Sequence, residues 1–184
     1  MLPKLKDRLY LLVIILLMAT CGQFYYSYRY LPESEAQVFY NKDHKLNAKI
    51  IKLTQDADKF VYFGIYTFTK ADLKDALLAA KYRGLDVRGV TDRNQTKDIE
   101  LQHKIVEELR KAGIPVFVHD HSAIMHLKVL VTDKAYASGS YNWTTSATNA
   151  NDEVLEVGTK ESLRKEYKNI LEELFEKYKH SSGI

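Results

Sequence analysis

The stretch that decides the fold reads His126-Leu127-Lys128-Val129-Leu130-Val131-Thr132-Asp133, and a second piece, Gly139-Ser140-Tyr141-Asn142, follows it closely. Side chains alternate between the two faces of a β-strand, so a strand over the first piece would place His126 and Lys128 on one face. Val129 and Val131 would point the other way, towards a core. One face would therefore combine an imidazole, which can act as nucleophile or acid, with an ammonium that can hold a phosphate.

The second piece supplies neutral hydrogen-bond donors. Residues Ala135 to Ser138 predict a second strand that ends at Gly139, where the missing side chain permits a close approach of backbone. Ser140 and Asn142 then offer a hydroxyl and an amide to an oxyanion. Cations and neutral donors around a nucleophilic histidine suit phosphoryl transfer.

Short apolar runs alternate with amphipathic stretches along the rest of the chain. Strands are predicted at 36–39, 60–68, 86–91, 115–118 and 152–157, and helices at 43–55, 71–83, 97–112 and 161–179. The last helix carries apolar residues at helical spacing, which predicts one buried face: Leu163, Tyr167, Ile170, Leu171, Leu174 and Phe175. This alternation predicts an α/β fold in which helices cover both faces of a mixed sheet.

The first 31 residues predict a segment separate from the domain at 32–184. Lys4, Lys6 and Arg8 precede an unbroken apolar run from Leu9 to Cys21. An uncleaved membrane anchor, a lipoprotein signal with its lipid on Cys21, and a cleaved signal peptide are all compatible with this pattern. Each of them predicts a domain outside the cytoplasm, either anchored to the membrane or exported.

The charge balance excludes a generally basic protein. The chain carries 27 basic and 24 acidic residues, a net charge of +3, and the whole excess lies in the first 31 residues. The domain at 32–184 is therefore neutral, so a phosphate-binding groove must be a local patch. Cys21 is the only cysteine, which excludes an intrachain disulfide and a cysteine-based zinc site.

The order His126-x-Lys128-x4-Asp133, followed by Gly139-Ser140-x-Asn142, resembles the HKD motif of the phospholipase D superfamily. One departure is that five residues separate Asp133 from Gly139, where the family pattern usually has six. It indicates a tighter hairpin turn at Asp133-Lys134. Three further pieces look like the small bacterial endonuclease branch of this superfamily: Tyr66-Thr67-Phe68-Thr69, residues 78–88, and Gly113-Ile114-Pro115.

The resemblance implies a phospholipase D-like fold, one HKD motif per chain, a homodimer, and phosphodiester hydrolysis through a phosphohistidine without metal or cofactor. It also implies a set of catalytic residues, which are His126, Lys128, Asp133, Asn142 and Glu153. Lys128 and Asn142 would hold phosphate oxygens with help from Ser140. Glu153 would accept a hydrogen bond from the second ring nitrogen of His126. The members of this branch include periplasmic and membrane-bound nucleases.

Two substrate classes follow. The first is DNA or RNA, cut without strong sequence preference, and the alternative is membrane phospholipid. The single motif and the resemblance over the whole domain favour nucleic acid. Arg93 lies in a loop after a strand, where sites gather in α/β folds, and is a candidate for binding substrate. His119-Asp120-His121 either lines the mouth of the groove, forms a plain loop, or binds a metal.

Overall fold

The computed structural model of the chain describes residues 5–29, 36–41 and 45–181, and the side chains at 5, 9, 11 and 24–29 lie outside that description. The chain divides into two compact units, Met1–Ser34 and Glu35–Ile184. The first unit contains helix α1, Leu5–Arg29. Among the described residues, no helix combines the length and the hydropathy that a membrane crossing requires. The predicted domain boundary between 31 and 32 falls on residues outside the described ones.

The second unit is a seven-stranded sheet with helices on both faces. Its elements in chain order are β1 (Ala36–Tyr40), α2 (Leu46–Asp56), β2 (Phe60–Ile65), α3 (Ala71–Tyr82), β3 (Asp86–Thr91), α4 (Arg93–Asp98), α5 (Glu100–Lys111), β4 (Val116–Val118), β5 (Lys128–Thr132), β6 (Tyr136–Gly139), α6 (Thr145–Asn149), β7 (Val154–Gly158) and α7 (Glu161–Tyr178). The strand order is β1-β7-β6-β5-β2-β3-β4. Strands β2, β3 and β4 pair in parallel and the other neighbours pair antiparallel. The predicted α/β fold with a mixed sheet is confirmed.

An apolar cluster covers each face of the sheet. Val61, Phe63 and Ile65 of β2 point into a cluster shared with α2, α3 and α5. Tyr62 points to the opposite face, where Phe175 and its neighbours on α7 pack. Because both faces are buried, β5 between them is buried along its whole length. Successive apolar side chains of β5 therefore point alternately into the two apolar clusters.

The clearest differences from the predicted elements are the end of β2 and the helix predicted at 97–112. Strand β2 ends at Ile65 instead of reaching residue 68, because the backbone of Thr67 bonds to Trp143. The helix predicted at 97–112 is two helices, α4 and α5, because Ile99 between them is extended, with φ −109° and ψ 100°. Residues 43 and 44, where the first helix of the domain was predicted to begin, lie outside the described residues.

The buried face predicted for α7 is narrower than its apolar residues suggest. Leu171 and Phe175 are buried in the cluster beneath the helix. Leu163 and Ile170 are 40% and 38% exposed. These two residues are seven apart, so they lie on the same side of the helix, about 100° from Leu171. Their assignment to the buried face was wrong.

A glycine of β3 makes room for the core. Gly89 lies directly opposite Phe63 in the pairing of β2 with β3, and a Cβ atom on Gly89 would lie 2.0 Å from the Phe63 ring. We expect Gly89→Ala to lower the free energy of unfolding by roughly 1–3 kcal/mol through overpacking, measured by urea denaturation. The double variant with Phe63→Leu should lose less than the sum of the two single variants. Strict additivity would contradict the contact.

Candidate active site

His126 and Lys128 lie at the point where β5 begins. His126 lies in the segment without regular secondary structure before the strand, and its side chain is exposed. Lys128 is the first residue of β5 and is only 8% exposed. Its Nζ donates a hydrogen bond of 3.0 Å to the His126 carbonyl oxygen. The strand predicted over both residues thus starts two residues later, and it presents an accessible imidazole beside a buried ammonium.

The charge of Lys128 is held in a partly desolvated setting. Burial lowers the pKa of Lys128 below its ordinary value, and the negative charge of Glu153 acts in the opposite direction. Its Nζ also lies 5.1 Å from the centroid of the Tyr66 ring. The same ring meets the His126 ring with centroids 4.7 Å apart, edge to face. Tyr66 therefore contacts both of the residues that the motif singles out.

The residue after Tyr66 connects this pair to the second piece of the motif. The Thr67 N–H donates to Oδ1 of Asn142 at 3.2 Å. Because an N–H can only donate, this bond fixes which end of the amide is oxygen and turns the NH2 group away. In the part of the chain that the structure describes, that NH2 group has no hydrogen-bond partner. Asn142 is thus held beside the Tyr66–Thr67 segment with its NH2 group turned away from Thr67, and its role as a donor to phosphate stays a prediction.

Glu153 has different partners from those predicted. It is 7% exposed, and its carboxylate accepts hydrogen bonds from the Ser140 hydroxyl and from Nδ2 of Asn151, the latter at 3.1 Å. Within the described ranges, no hydrogen bond joins it to the ring of His126. Glu153 acts on the site through its charge near Lys128 and through Ser140. The predicted bond from the His126 ring was wrong.

The hydroxyl of Ser140 is committed to the protein. It donates its proton to Glu153, and its oxygen accepts the Val154 N–H at 3.1 Å. The hydroxyl proton is therefore not available to phosphate as placed here, contrary to the prediction. Gly139 beside it behaves as predicted, since a Cβ atom there would lie 2.2 Å from the Val154 carbonyl oxygen. The missing side chain lets β6 approach β7 and so places Ser140 against Glu153.

The family model described as "Cardiolipin synthase, PLD-like domain" matches residues 50–175, which include this whole arrangement. The chain belongs to the phospholipase D superfamily. Among solved structures it is similar to Nuc, a phospholipase D family member from Salmonella typhimurium. The two share 26% sequence identity with a TM-score of 0.71, over 75% of this chain and 91% of Nuc. The predicted Nuc-like branch and phospholipase D-like fold are thereby confirmed.

Two curated relatives carry names that refer to lipids. The mitochondrial cardiolipin hydrolase of Xenopus tropicalis is 29% identical over 136 residues, which are 73% of this chain and 63% of that protein. A phospholipase D of Rickettsia prowazekii is 29% identical over 130 residues, which are 70% of this chain and 62% of that protein. The chain thus spans less than two thirds of the length of these relatives.

In this phospholipase D-like domain, Asp133 lies away from the other motif residues. It follows the last residue of β5, about 16 Å along the strand from Lys128. Its Oδ1 accepts the backbone N–H groups of Asp58 and Lys59, each at 3.1 Å. The predicted tight turn is present, closed by a 2.8 Å bond from the Thr132 N–H to the Ala135 carbonyl. Asp133 therefore ties this hairpin to the start of β2, and the site does not include it.

The loop before His126 is held by a buried network. His119 is 1% exposed; its Nδ1 accepts the Arg93 N–H at 2.9 Å and its Nε2 lies 2.8 Å from the Ala123 carbonyl. Since Nδ1 is an acceptor, the ring is neutral, and its 3.5 Å distance to the Asp92 carboxylate is not an ion pair. Oδ2 of Asp92 accepts the Met125 N–H at 2.9 Å. This network fixes the backbone next to His126.

Both nitrogens of His119 are therefore engaged, which excludes it as a metal ligand in this arrangement. Among the described residues, no group of three or more His, Cys, Asp or Glu side chains could hold a metal ion. The Arg93 guanidinium donates to the carbonyls of Asp120 and His121, at 3.3 and 3.4 Å. Arg93 thus stabilises the same loop, and the structure does not bring it together with Lys128 and Asn142.

Sequence reasoning assigned no site role to Tyr66, Thr67 or Gln102. Gln102 of α5 is fully buried; its Oε1 accepts the Phe68 N–H at 2.8 Å and its Nε2 donates to the Tyr66 carbonyl at 3.2 Å. It fixes the segment that carries Tyr66 and Thr67. The sequence does contain a signal for Gln102, because it is a polar residue on the apolar side of an amphipathic helix.

The placement of Asp133 makes a prediction about stability. We expect Asp133→Ala to lower the free energy of unfolding by about 1–2 kcal/mol, because two backbone N–H groups lose their acceptor. Asp133→Asn keeps an acceptor and should lose less. Both variants should retain activity at a temperature where they are folded, because the carboxylate is remote from His126. Loss of turnover in a folded Asp133→Asn protein would restore the catalytic assignment.

The same carboxylate predicts a pH dependence. Burial would raise the pKa of Asp133, but the backbone N–H groups of Lys59 and Asp58 outweigh it and hold the pKa below its ordinary value. A carboxyl whose pKa is lower in the folded state stabilises the fold above its unfolded pKa, about 3.9, and that stability disappears as the pH falls through the folded pKa. The difference in unfolding free energy between wild type and Asp133→Asn should therefore be present at pH 6 and shrink below about pH 4.

Proposed function

We propose that the protein is a metal-independent phosphodiesterase that cuts DNA or RNA without strong sequence preference through a covalent phosphohistidine. The observation that carries the proposal is the exposed imidazole of His126 beside the buried ammonium of Lys128. Asn142 adds an amide donor that Thr67 holds in one orientation. Such preorganised donors stabilise the charge that develops on phosphate oxygens in the transition state.

In the proposed reaction one ring nitrogen of His126 attacks phosphorus and the bond from phosphorus to the leaving oxygen breaks. A second, protonated imidazole gives its proton to that oxygen. The imidazole, now neutral, takes a proton from water as the water attacks phosphorus, and the bond to His126 breaks. Lys128 and Asn142 hold the non-bridging oxygens throughout.

The second imidazole is proposed to be His126 of a second copy of the chain. The motif occurs once in the sequence, and one histidine cannot be nucleophile and acid at the same time. Two like groups that meet at a two-fold axis share one proton, which provides a neutral and a charged imidazole together. The proposed interface contains the turn Gly139–Asn142 and the segments around Asp92 and Asn149, at the start of α4 and the end of α6.

Nucleic acid is the proposed substrate because the similarity to Nuc extends over 91% of that protein. The sequence resemblance to the small endonuclease branch points the same way. The alternative is a phospholipase D-type hydrolase that acts on membrane phospholipid. It is supported by the relatives named mitochondrial cardiolipin hydrolase and phospholipase D.

We further propose that residues 1–31 place the domain outside the cytoplasm, anchored to the membrane or exported. The basic residues Lys4, Lys6 and Arg8 ahead of the apolar run support this proposal. The apolar run ends at Cys21, so a membrane anchor and a signal peptide would both be formed by these same residues. The predicted Cys21 lipid is one form that the anchor could take.

A substrate panel in excess EDTA tests the chemistry. Labelled single- and double-stranded DNA, RNA, phosphatidylcholine and cardiolipin are incubated with the full chain, and products are quantified. We expect nucleic acid to be cut at the same rate with and without chelator, because Lys128 and the imidazoles supply the charge stabilisation. The phospholipids should be left intact.

His126→Ala and His103→Ala serve as the inactive variant and its matched control in this panel. The first should retain its fold, lose activity and form no phospho-enzyme, while the second should keep full activity. Hydrolysis of phospholipid alone would favour the alternative. Activity that is lost in EDTA and restored by a divalent ion would contradict the phosphohistidine mechanism.

A mixing experiment tests the shared site. Wild type and His126→Ala are unfolded together, refolded and assayed at constant total protein. If pairs form at random and both histidines are needed, only wild-type pairs work, and an equal mixture retains about a quarter of full activity. Independent monomers would retain about half. Mixing with His103→Ala should cause no loss, and a linear dependence on wild-type fraction, with subunit exchange confirmed, would mean that each chain holds a complete site.

A further inference from the structure

We propose that Tyr66 is a positioning residue for two side chains of the proposed site: its ring limits the orientation of the His126 imidazole and its face stabilises the Lys128 ammonium. The effect on turnover rests on the proposed function, whereas the effect on the lysine does not. The inference comes from the position of one aromatic ring between two functional groups.

The contact with Lys128 has the geometry of a cation–π interaction. The Nζ atom lies 5.1 Å from the ring centroid, within the roughly 6 Å over which this attraction acts. Lys128 is buried, so the ring face replaces water that the ammonium has lost. The one hydrogen bond that the Nζ atom of Lys128 makes in the described structure goes to the His126 carbonyl. The titratable groups that act on Lys128 or face it are Glu153, through its charge, and Tyr66, through its ring.

The contact with His126 supplies an orientation that no hydrogen bond provides. Glu153 is engaged with Ser140 and Asn151, and within the described ranges the His126 ring has no hydrogen-bond partner. Its ring contact is the edge-to-face packing against Tyr66, with an interplanar angle of 63°. An exposed imidazole rotates freely unless something packs against it, so Tyr66 restricts the directions from which it can attack phosphorus.

Tyr66 can fulfil this role because its backbone is fixed from two sides. Its N–H donates to the Leu127 carbonyl at 2.8 Å, between His126 and Lys128 in sequence. Its carbonyl accepts from the buried Gln102 amide at 3.2 Å. Both contacts attributed to the side chain use the ring, so the hydroxyl is dispensable.

The test compares variants that keep the ring with variants that remove it. Tyr66→Phe should keep kcat within about threefold of wild type. Tyr66→Leu, and Tyr66→Met as a second variant in case the first does not fold, should lower kcat about tenfold with a smaller change in KM. Tyr82→Leu, at an exposed tyrosine at the end of α3, is the control and should leave kcat unchanged.

A second readout does not need activity. The titration of Lys128 is followed by NMR of side-chain-labelled lysine in the full chain, with the signal assigned by its loss in Lys128→Arg. Removing the ring removes stabilisation of the charged form, so the midpoint should fall by about 0.5 to 1 pH unit in Tyr66→Leu or Tyr66→Met and stay in place in Tyr66→Phe. In the variants without the ring, the alkaline limb of the pH profile of kcat/KM should move to lower pH by the same amount. A Lys128 that loses its proton at a lower pH also loses its attraction for phosphate at that lower pH.

The two readouts separate the inference from the proposed function. If no phosphodiester is cut but the Lys128 midpoint falls as expected, the stabilisation of Lys128 by Tyr66 stands and the proposed function is wrong. Equal losses of kcat in the Phe and Leu variants would overturn the positioning role. An unchanged Lys128 midpoint in both folded non-aromatic variants would also overturn it.

Discussion

The site depends on one short piece of backbone, Tyr66-Thr67, that bonds to two segments far away in the sequence. The Tyr66 N–H binds the Leu127 carbonyl, and the Thr67 N–H binds Oδ1 of Asn142 across 75 positions of the chain. The first bond holds the segment that carries His126, and the second orients the amide. Gln102 fixes this backbone from behind. His126 precedes β5 and Asn142 follows β6 of the same hairpin, and this junction fixes the backbone at the open end of that hairpin.

The second constraint is that the Lys128 ammonium must keep its charge although it is buried. Lys128 has lost most of its water, and desolvating an isolated ammonium is costly. A carbonyl, an aromatic face and the nearby charge of Glu153 compensate in part. Glu153 is itself buried and is satisfied by Ser140 and Asn151. The local balance of these groups explains how a domain that is neutral overall can still hold a cation at its candidate site.

Lys128 and Asp133 belong to the same motif but lie at opposite ends of strand β5. Lys128 opens β5 at the site, whereas Asp133 follows its last residue and binds the backbone before β2. The length of the strand separates the two functions, because each residue of a strand advances the chain by about 3.3 Å. Asp133 thus contributes to the fold that places Lys128. His119 is a parallel case, since a histidine that seemed available to a ligand is neutral and buried behind the loop before His126.

The sequence by itself determined the α/β class and the mixed sheet, and it singled out His126, Lys128 and Asn142 as candidate site residues. Period-two alternation, helical spacing and the order of a motif are local properties that can be read along the chain. Only the tertiary structure decided that Glu153 binds Ser140 instead of His126, that Asp133 binds the backbone before β2, and that Tyr66 contacts both His126 and Lys128. Each of these depends on which side chains from distant segments come into contact. It also depends on which of several donors lies within hydrogen-bond distance of a given acceptor. Spacing along a sequence does not carry that information, because the partner is selected by packing in three dimensions.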